Sequence, residues 1–233
     1  MAQLQKVIAL VPMKAHSQRV PHKNLRLFCG KPLYHYIISV LLSCPYVETV
    51  YVDTDGEEIV RDIKDHFEPR VRIIWRPESL RGDFVSMNVI IEYDLSKAEG
   101  GYFLQTHSTN PLLQVSTVNR AVETFFQDGQ HDSLFSVNRI QSRLYREGGT
   151  PINHDPRELL RTQDLPPVYE ENSNMYIFSR TSFGKRRHRI GENPILFEIA
   201  KLESIDIDDE EDFKLAEYIF QTYWSQQGGR FDG

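Results

Sequence analysis

Two short segments hold the side chains that chemistry would need. The first is VPMKAHSQRVPHKN, residues 11–24, which follows the apolar run VIALV. It offers Lys14, Ser17, Arg19, Lys23 and Asn24. A basic loop between a strand and a helix wraps anions with its N–H groups and the dipole of the next helix. Phosphate is therefore the expected ligand. Yet the loop has no glycine and matches neither of the common glycine-rich phosphate signatures. A solvated basic turn is the competing reading. The second segment is SIDIDDEEDF, residues 204–213. Read as a strand end, it puts Asp206 and Asp208 on one face. Two carboxylates on one face suit a hard divalent cation, Mg2+ above all, with water and phosphate oxygens completing its shell. Alternatively, Asp208 caps the closing helix with Glu211 three residues on; the two roles are compatible. A third segment, residues 161–178, offers Arg161 and Gln163 for a carboxylate or sugar hydroxyls. There an ordinary surface arginine is the plainer reading.

These segments are far apart in sequence, so the fold must bring them together. Lys6 to Pro12 reads as a buried strand, and Pro32 to Ser43 as a helix with proline in its first turn. Strand TVYVDTD, helix GEEIVRDIKDHF and strand VRIIW follow. Residues 84–97 read as a helix and GYFLQ as a strand. Val115 to Gln127 reads as a helix opened by Ser116 or Thr117, and Asp132 to Val137 as a strand. Repeated β–α units of this length predict an α/β fold, a mostly parallel sheet with helices on both faces. Ligands bind such sheets beyond the carboxyl ends of the strands. Residues 12–24, DTDG at 53–56 and QTHSTNP at 105–111 should therefore line one crevice.

The pattern changes after residue 138. Residues 139–171 are polar and rich in proline and glycine, too long for a structureless loop inside a compact domain. They read as an excursion, an arm for another subunit. MYIFSR and KLESIDID then read as strands, and EEDFKLAEYIFQTYW as a closing amphipathic helix. The expectation is a single domain over residues 1–228 with a frayed tail at 229–233.

Bulk composition narrows the function classes. A chain of 233 residues, 40% hydrophobic and 26% charged, is ordinary for a globular protein with a sizeable core. A formal net charge of −6 argues against broad nucleic-acid binding, which needs a basic surface. No apolar run approaches a membrane span or a signal peptide, so no membrane partner is expected. The two cysteines, Cys29 and Cys44, form no metal spacing or disulfide framework, and a reduced, cytoplasmic compartment is the simplest expectation.

The order of these segments resembles the cytidylyltransferase family that makes CMP-activated sugar acids. Its acylneuraminate branch is the nearest in pattern, with CMP-KDO synthetases more distant. That family's first loop typically reads PARGGSKGIPRKN; here the same length reads PMKAHSQRVPHKN. The resemblance also covers GKPL at 30–33, VDTDGEEI at 52–59, RPESL at 76–80 and LQTHSTNPL at 104–112. RTQDLP at 161–166, ENSNMYIF at 171–178 and SIDID at 204–208 complete the series, so it runs over nearly the whole chain. Departures are local. The family's two glycines become Ala15 and His16, its next lysine becomes Gln18, and its QPTSPLR and NGAIYI become QTHSTNPLL and NSNMYI.

The resemblance implies a Rossmann-like fold of nucleotidyltransferase type with a protruding dimerisation segment at 139–171. Tyr145 and Arg143 would then lie at a homodimer interface. It implies CTP and a 2-keto sugar acid as substrates, and Mg2+ as the cofactor. Lys14, Ser17, Lys23 and Asn24 match nucleotide-contacting positions, with the two lysines at the phosphates. Arg76 matches a position near the cytosine, and Ser86 falls in a nucleotide-binding segment. Gln105 and Arg161 match positions that bind the sugar acid; Asp206 and Asp208 match the metal pair. The base that takes the hydroxyl proton is left open. So are a related enzyme using another nucleotide or a sugar phosphate, a CMP-KDO synthetase, and an inactive nucleotide-binding homologue.

Overall fold

The first strand, β1 (Val7–Pro12), explains why the chain builds three layers. All six of its residues are buried. Val7, Ala9 and Val11 join one apolar cluster, while Ile8 and Leu10 join another on the opposite face. A strand apolar on both faces must sit inside a sheet that is covered on both sides. In the computed structural model, which describes residues 5–17 and 19–224, it does. Parallel neighbours flank it: β4 (Val47–Thr54), which pairs onward with β5 (Val71–Trp75), and β6 (Tyr102–Thr106).

Helices α1 (Leu33–Ser43), α2 (Glu57–Phe67) and α4 (Val115–Asp128) supply the apolar side chains of the first cluster. Helix α3 (Met87–Lys97) and the short α5 (Arg180–Arg186) cover the second face with Ile91, Leu95 and Phe183. The predicted α/β fold, a mostly parallel sheet with helices on both faces, is the observed one. Its seven strands run in the order β5-β4-β1-β6-β8-β7-β9. The departure from parallel is β8 (Val168–Ser179), antiparallel to both β6 and β7 (Ser133–Ile140). The edge strand β9 (Pro194–Glu198) is parallel to β7. A two-residue hairpin, β2 (Leu27–Phe28) and β3 (Lys31–Pro32), packs with α6 (Glu210–Ile219) around Phe28 and Phe213. A π-helical turn, Phe220–Trp224, follows α6.

Several expectations are corrected. KLESIDID forms no strand: residues 201–204 turn, and 205–208 run without a sheet partner. Ile207 is fully buried and its N–H donates to Thr109 O at 2.9 Å. The cap of α6 is Asp209, not Asp208; its side chain accepts from the N–H groups of Glu211 and Asp212. Neither Ser116 nor Thr117 opens α4. Gln114 stands at that cap, and the carboxylate of Glu203 accepts from Gln114 N and Thr117 Oγ1, both at 3.1 Å. Helix α3 begins at Met87 rather than residue 84, after a 3-10 turn at Glu78–Leu80. Strand β9 and helix α5 were not anticipated.

The expected excursion is irregular from 141 to 167 apart from a bridge between Tyr145 and Pro151 and a 3-10 turn, Thr162–Asp164. Gln141 closes its base, donating to Gln163 O and Leu165 O at 2.6 and 3.0 Å. Among the described residues no helix is long and apolar enough to cross a membrane. The expected tail at 229–233 lies outside the described residues.

Candidate active site

The basic loop leaves β1 and is tied down by three neighbours. Ala15 N donates to Asp55 Oδ1 at 2.8 Å, beyond the end of β4. Asn24 Nδ2 donates to Lys14 O at 2.8 Å, and Ser108 Oγ donates to Asn24 Oδ1 at 2.7 Å, beyond the end of β6. Ser17 Oγ accepts from Val20 N at 3.3 Å. Without glycine of its own, the loop still makes a left-handed turn, at His22 with φ 52°, a conformation that costs a non-glycine residue about 1–2 kcal/mol. A glycine across the way helps it close. A Cβ on Gly56 would stand 3.2 Å from Ala15 Cβ and 3.1 Å from Ile59 Cδ1.

Beyond the strand ends lies a cleft of about 500 Å³. Lys14, Ser17, Lys23, Asn24, Asp206 and Asp208 all line it, so the basic loop and the acidic segment face each other as expected. Lys23 Nζ donates to Ile207 O at 2.6 Å, which seats the ammonium beside both aspartates. Burial lowers the Lys23 pKa, and Asp206 and Asp208 oppose that shift. Burial raises the Asp206 pKa; a hydrogen bond from Thr109 counters it and the charge of Asp208 adds to it. Asp208 Oδ1 accepts from Arg19 Nη2 at 2.7 Å, and Lys14 Nζ donates to Asp83 Oδ1 at 2.8 Å. Both pairs are solvent-exposed and thus easily exchanged.

Other expected residues are placed elsewhere. Arg76 is fully buried outside the cleft lining and donates from Nε to Asp53 Oδ1 at 2.5 Å. Its guanidinium closes the interior between β4 and β5 rather than facing a ligand. Asp94 of α3 is buried beside the pair. One carboxylate balances Arg76, so the second keeps its proton: burial, then the hydrogen bond and charge of Asp53, push Asp94 up to about 10. Ser86 is an exposed residue at the start of α3, next to Met87, which does line the cleft. Arg161 has a 72% exposed side chain and pairs within its own turn with Asp164, Nε to Oδ2 at 2.6 Å.

Gln105 is fully buried and outside the cleft lining. Its Nε2 donates to Thr106 O at 2.9 Å and to His107 Nε2 at 3.3 Å, and its Oε1 accepts from Arg189 Nη1 at 2.6 Å. His107 lines the cleft. Burial, with Arg189 and Lys23 adding, pushes it down to about 3, so it is a neutral imidazole at neutral pH. Asp83 and Arg189 escaped the sequence reading, and His107 entered it only within the stretch QTHSTNP. The run KRRHR was a visible charge signal, but nothing in it distinguishes the one buried arginine from its exposed neighbours.

Comparisons with known proteins bear on the family and the fold. A model of the cytidylyltransferase family matches residues 8–227. A Helicobacter pylori protein, pseudaminic acid cytidylyltransferase and UDP-2,4-diacetamido-2,4,6-trideoxy-beta-L-altropyranose hydrolase, is 25% identical over 225 residues, covering 94% of this chain and 43% of its own. N-acylneuraminate cytidylyltransferase A of Danio rerio is 27% identical over 225 residues, covering 91% of this chain and 50% of its own. The chain thus spans about half the length of these relatives. A solved CMP:2-keto-3-deoxy-manno-octonic acid synthetase complexed with CTP aligns with TM-score 0.68 at 15% identity, over 96% of this chain and 100% of that one, and shares the fold. With the model matched from β1 to beyond α6, the chain belongs to the cytidylyltransferase family.

Proposed function

We propose that this chain transfers a cytidylyl group from CTP to a 2-keto sugar acid of the nonulosonate class, releasing pyrophosphate. The carrying observation is the cleft at the strand ends, where Lys14 and Lys23 face Asp206 and Asp208. In the reaction, the anomeric hydroxyl of the sugar acid attacks the α-phosphorus. A new P–O bond forms, the bond to the β-phosphate oxygen breaks, and pyrophosphate leaves. Such transfers need positioning and charge stabilisation more than covalent help from the protein.

Lys14 would exchange its exposed partner Asp83 for a phosphate oxygen, and Lys23 would neutralise the triphosphate from the buried side. Ser17 and Asn24 would hold the loop in register for the nucleotide, Asn24 through its bonds to Lys14 O and Ser108. Asp206 and Asp208 fit a Mg2+ ion: one is a carboxylate that burial and its neighbour have driven up in pKa, and a divalent cation relieves that repulsion. Asp206 and Asp208 would hold such an ion, which would supply Lewis-acid stabilisation of the phosphate charge. Gln105 would meet the sugar acid. Arg161 would reach it from a second copy of the chain, because within one chain it is exposed, paired with Asp164 and outside the cleft lining.

The test is pyrophosphate release with CTP, UTP, ATP and GTP against N-acetylneuraminic, pseudaminic and legionaminic acids and KDO, with Mg2+ and with EDTA. Turnover with CTP and one of the nine-carbon acids, lost with EDTA, is expected. Turnover only with another nucleotide, or none at all, overturns the proposal.

A further inference from the structure

Arg189 sits in the segment between α5 and β9, bonded to Gln105 and near enough to His107 of the cleft lining for its charge to help lower the pKa of that imidazole. Its side chain is 14% exposed. A guanidinium stays charged in proteins, and buried charges are normally paired with an opposite charge. Here the close partners are neutral. Nη1 donates to Gln105 Oε1 at 2.6 Å and Nη2 to Tyr176 Oη at 3.0 Å, with the guanidinium carbon 3.6 Å from the Tyr176 ring centre. The carboxylate paired with it, Glu171, is exposed, lies 4.0 Å off at Oε1, and accepts the Tyr176 hydroxyl. Burial pulls the Arg189 pKa down, as expected for a cation short of a counter-charge. With two of five N–H groups engaged, the fork has donors left for an anion.

The segment is also fixed in advance. Arg189 N donates to Asn88 Oδ1 at 3.2 Å. Gly191 N donates to Ser133 Oγ at 2.8 Å, and Glu192 N and Asn193 N donate to the Asp132 carboxylate at 2.8 and 3.0 Å. A Cβ on Gly191 would fall 2.2 Å from Asp132 Oδ1, so only glycine allows this clamp. An anion arriving at Arg189 therefore meets a group whose ordering cost was met on folding.

A 2-keto sugar acid carries its carboxylate directly on the anomeric carbon. We propose that Arg189, together with Gln105, receives that carboxylate and thereby aims the anomeric hydroxyl past His107 toward the α-phosphorus. Arg189 is then the residue that makes an acid, rather than a neutral ketose, the acceptor. This rests on the sugar-acid reading above, and deepens it: the carboxylate is recognised from within one chain, by a buried fork that the sequence did not single out.

The experiment compares wild type, Arg189→Met and Arg189→Lys. Calorimetry measures binding of N-acetylneuraminic acid, pseudaminic acid and the methyl ester of each, and steady-state kinetics measures KM for acid and for CTP. Wild type should bind an acid more tightly than its ester by on the order of 10–100-fold, the range of a charge-assisted pair. Arg189→Met should abolish that preference and raise KM for the acid, with KM for CTP within about twofold. Arg189→Lys should restore part of the preference, as it keeps the charge but lacks the fork. An unchanged acid-over-ester preference in folded Arg189→Met overturns the proposal. So does an equal rise in KM for CTP, which would mark a structural role, and so does wild type that binds acid and ester alike. If wild type prefers the acid in binding yet transfers nothing from CTP, the enzymatic reading fails while the Arg189 assignment is still decided by the variants.

Discussion

Lys23 Nζ stands 2.6 Å from the main-chain oxygen of Ile207, so one lysine latches the basic loop to the acidic segment across the cleft. Ile207 is fully buried between Asp206 and Asp208, which makes that oxygen a fixed post. Lys23→Ala should raise KM for CTP by at least about tenfold, the loss of one charge-assisted contact. Initial rates against CTP concentration measure this, with calorimetry of CTP binding as a check on affinity. A KM within twofold of wild type would remove Lys23 from the phosphate site.

The side-chain ion pair of Asp208, with Arg19, is exposed, so removal of this carboxylate separates chemistry from stability. Its pair with Arg19 leaves the two side chains 49% and 64% exposed, and such pairs contribute about 0–1 kcal/mol. Asp208→Ala should reduce Mg2+-dependent pyrophosphate release by on the order of 100-fold or more while the urea midpoint barely moves. Normal turnover in that variant would sink the metal assignment.

Arg76 gives the opposite separation. Both side chains of the Arg76–Asp53 pair are 1% exposed. Removing one partner of a buried pair costs about 3–5 kcal/mol, because the other charge is stranded. Arg76→Ala should lower the urea midpoint sharply while the folded fraction keeps its KM for CTP. The reverse pattern, normal stability with a large rise in KM, would return Arg76 to the nucleotide site.

Asp94 links stability to pH. The folded chain keeps this proton up to about pH 10, whereas the unfolded chain releases it near 3.8. Its contribution to stability is therefore fully present below that lower value and lost progressively as pH rises toward the upper one, by at most about 1.4 kcal/mol per pH unit. Asp94→Asn should flatten this slope and be at least as stable as wild type at pH 8. Parallel slopes of unfolding free energy between pH 5 and pH 8 in both proteins would show that Asp94 is ionised in the fold.

The excursion should join two copies. Leu159 and Leu160 are 84% and 45% exposed there, and Tyr145 is 52% exposed. Light scattering at micromolar concentration should give the mass of a dimer, and Leu159→Asp should shift it toward the monomer. A monomeric wild type would contradict both the interface and the role proposed for Arg161.

Much of the architecture was legible because β1 and its neighbours are apolar on both faces and the intervening helices carry a clear apolar stripe. The cleft followed from polar residues at the ends of β1 and β6, whereas DTDG at 53–56 lies outside its lining. What failed has local causes. PILFE is a five-residue edge strand with only Phe197 buried, so it lacks the continuous apolar run of a central one. RTSFGKR is too short for a helical period and has Gly184 inside it. In SIDID the alternation of Ile205 and Ile207 with aspartates imitates a strand, but there is no strand beside it; Ile207 simply plugs the region between Phe28 and Phe213. Arg189 and Gln105 meet across 84 positions, a distance no local pattern spans.

The glycine-free loop has one more consequence. Its Ala15 N–H is already committed to Asp55, so less of the grip on a triphosphate can come from the main chain and more must come from Lys14 and Lys23. Main-chain donors are fixed dipoles, little affected by dissolved ions. Lysine ammonium groups at a cleft mouth compete with counter-ions, and added salt shortens the range of their attraction, to about 8 Å at 0.15 M ionic strength. The proposed nucleotide capture would thereby be tied to the ionic strength around the chain, with a change in salt acting on it as a throttle.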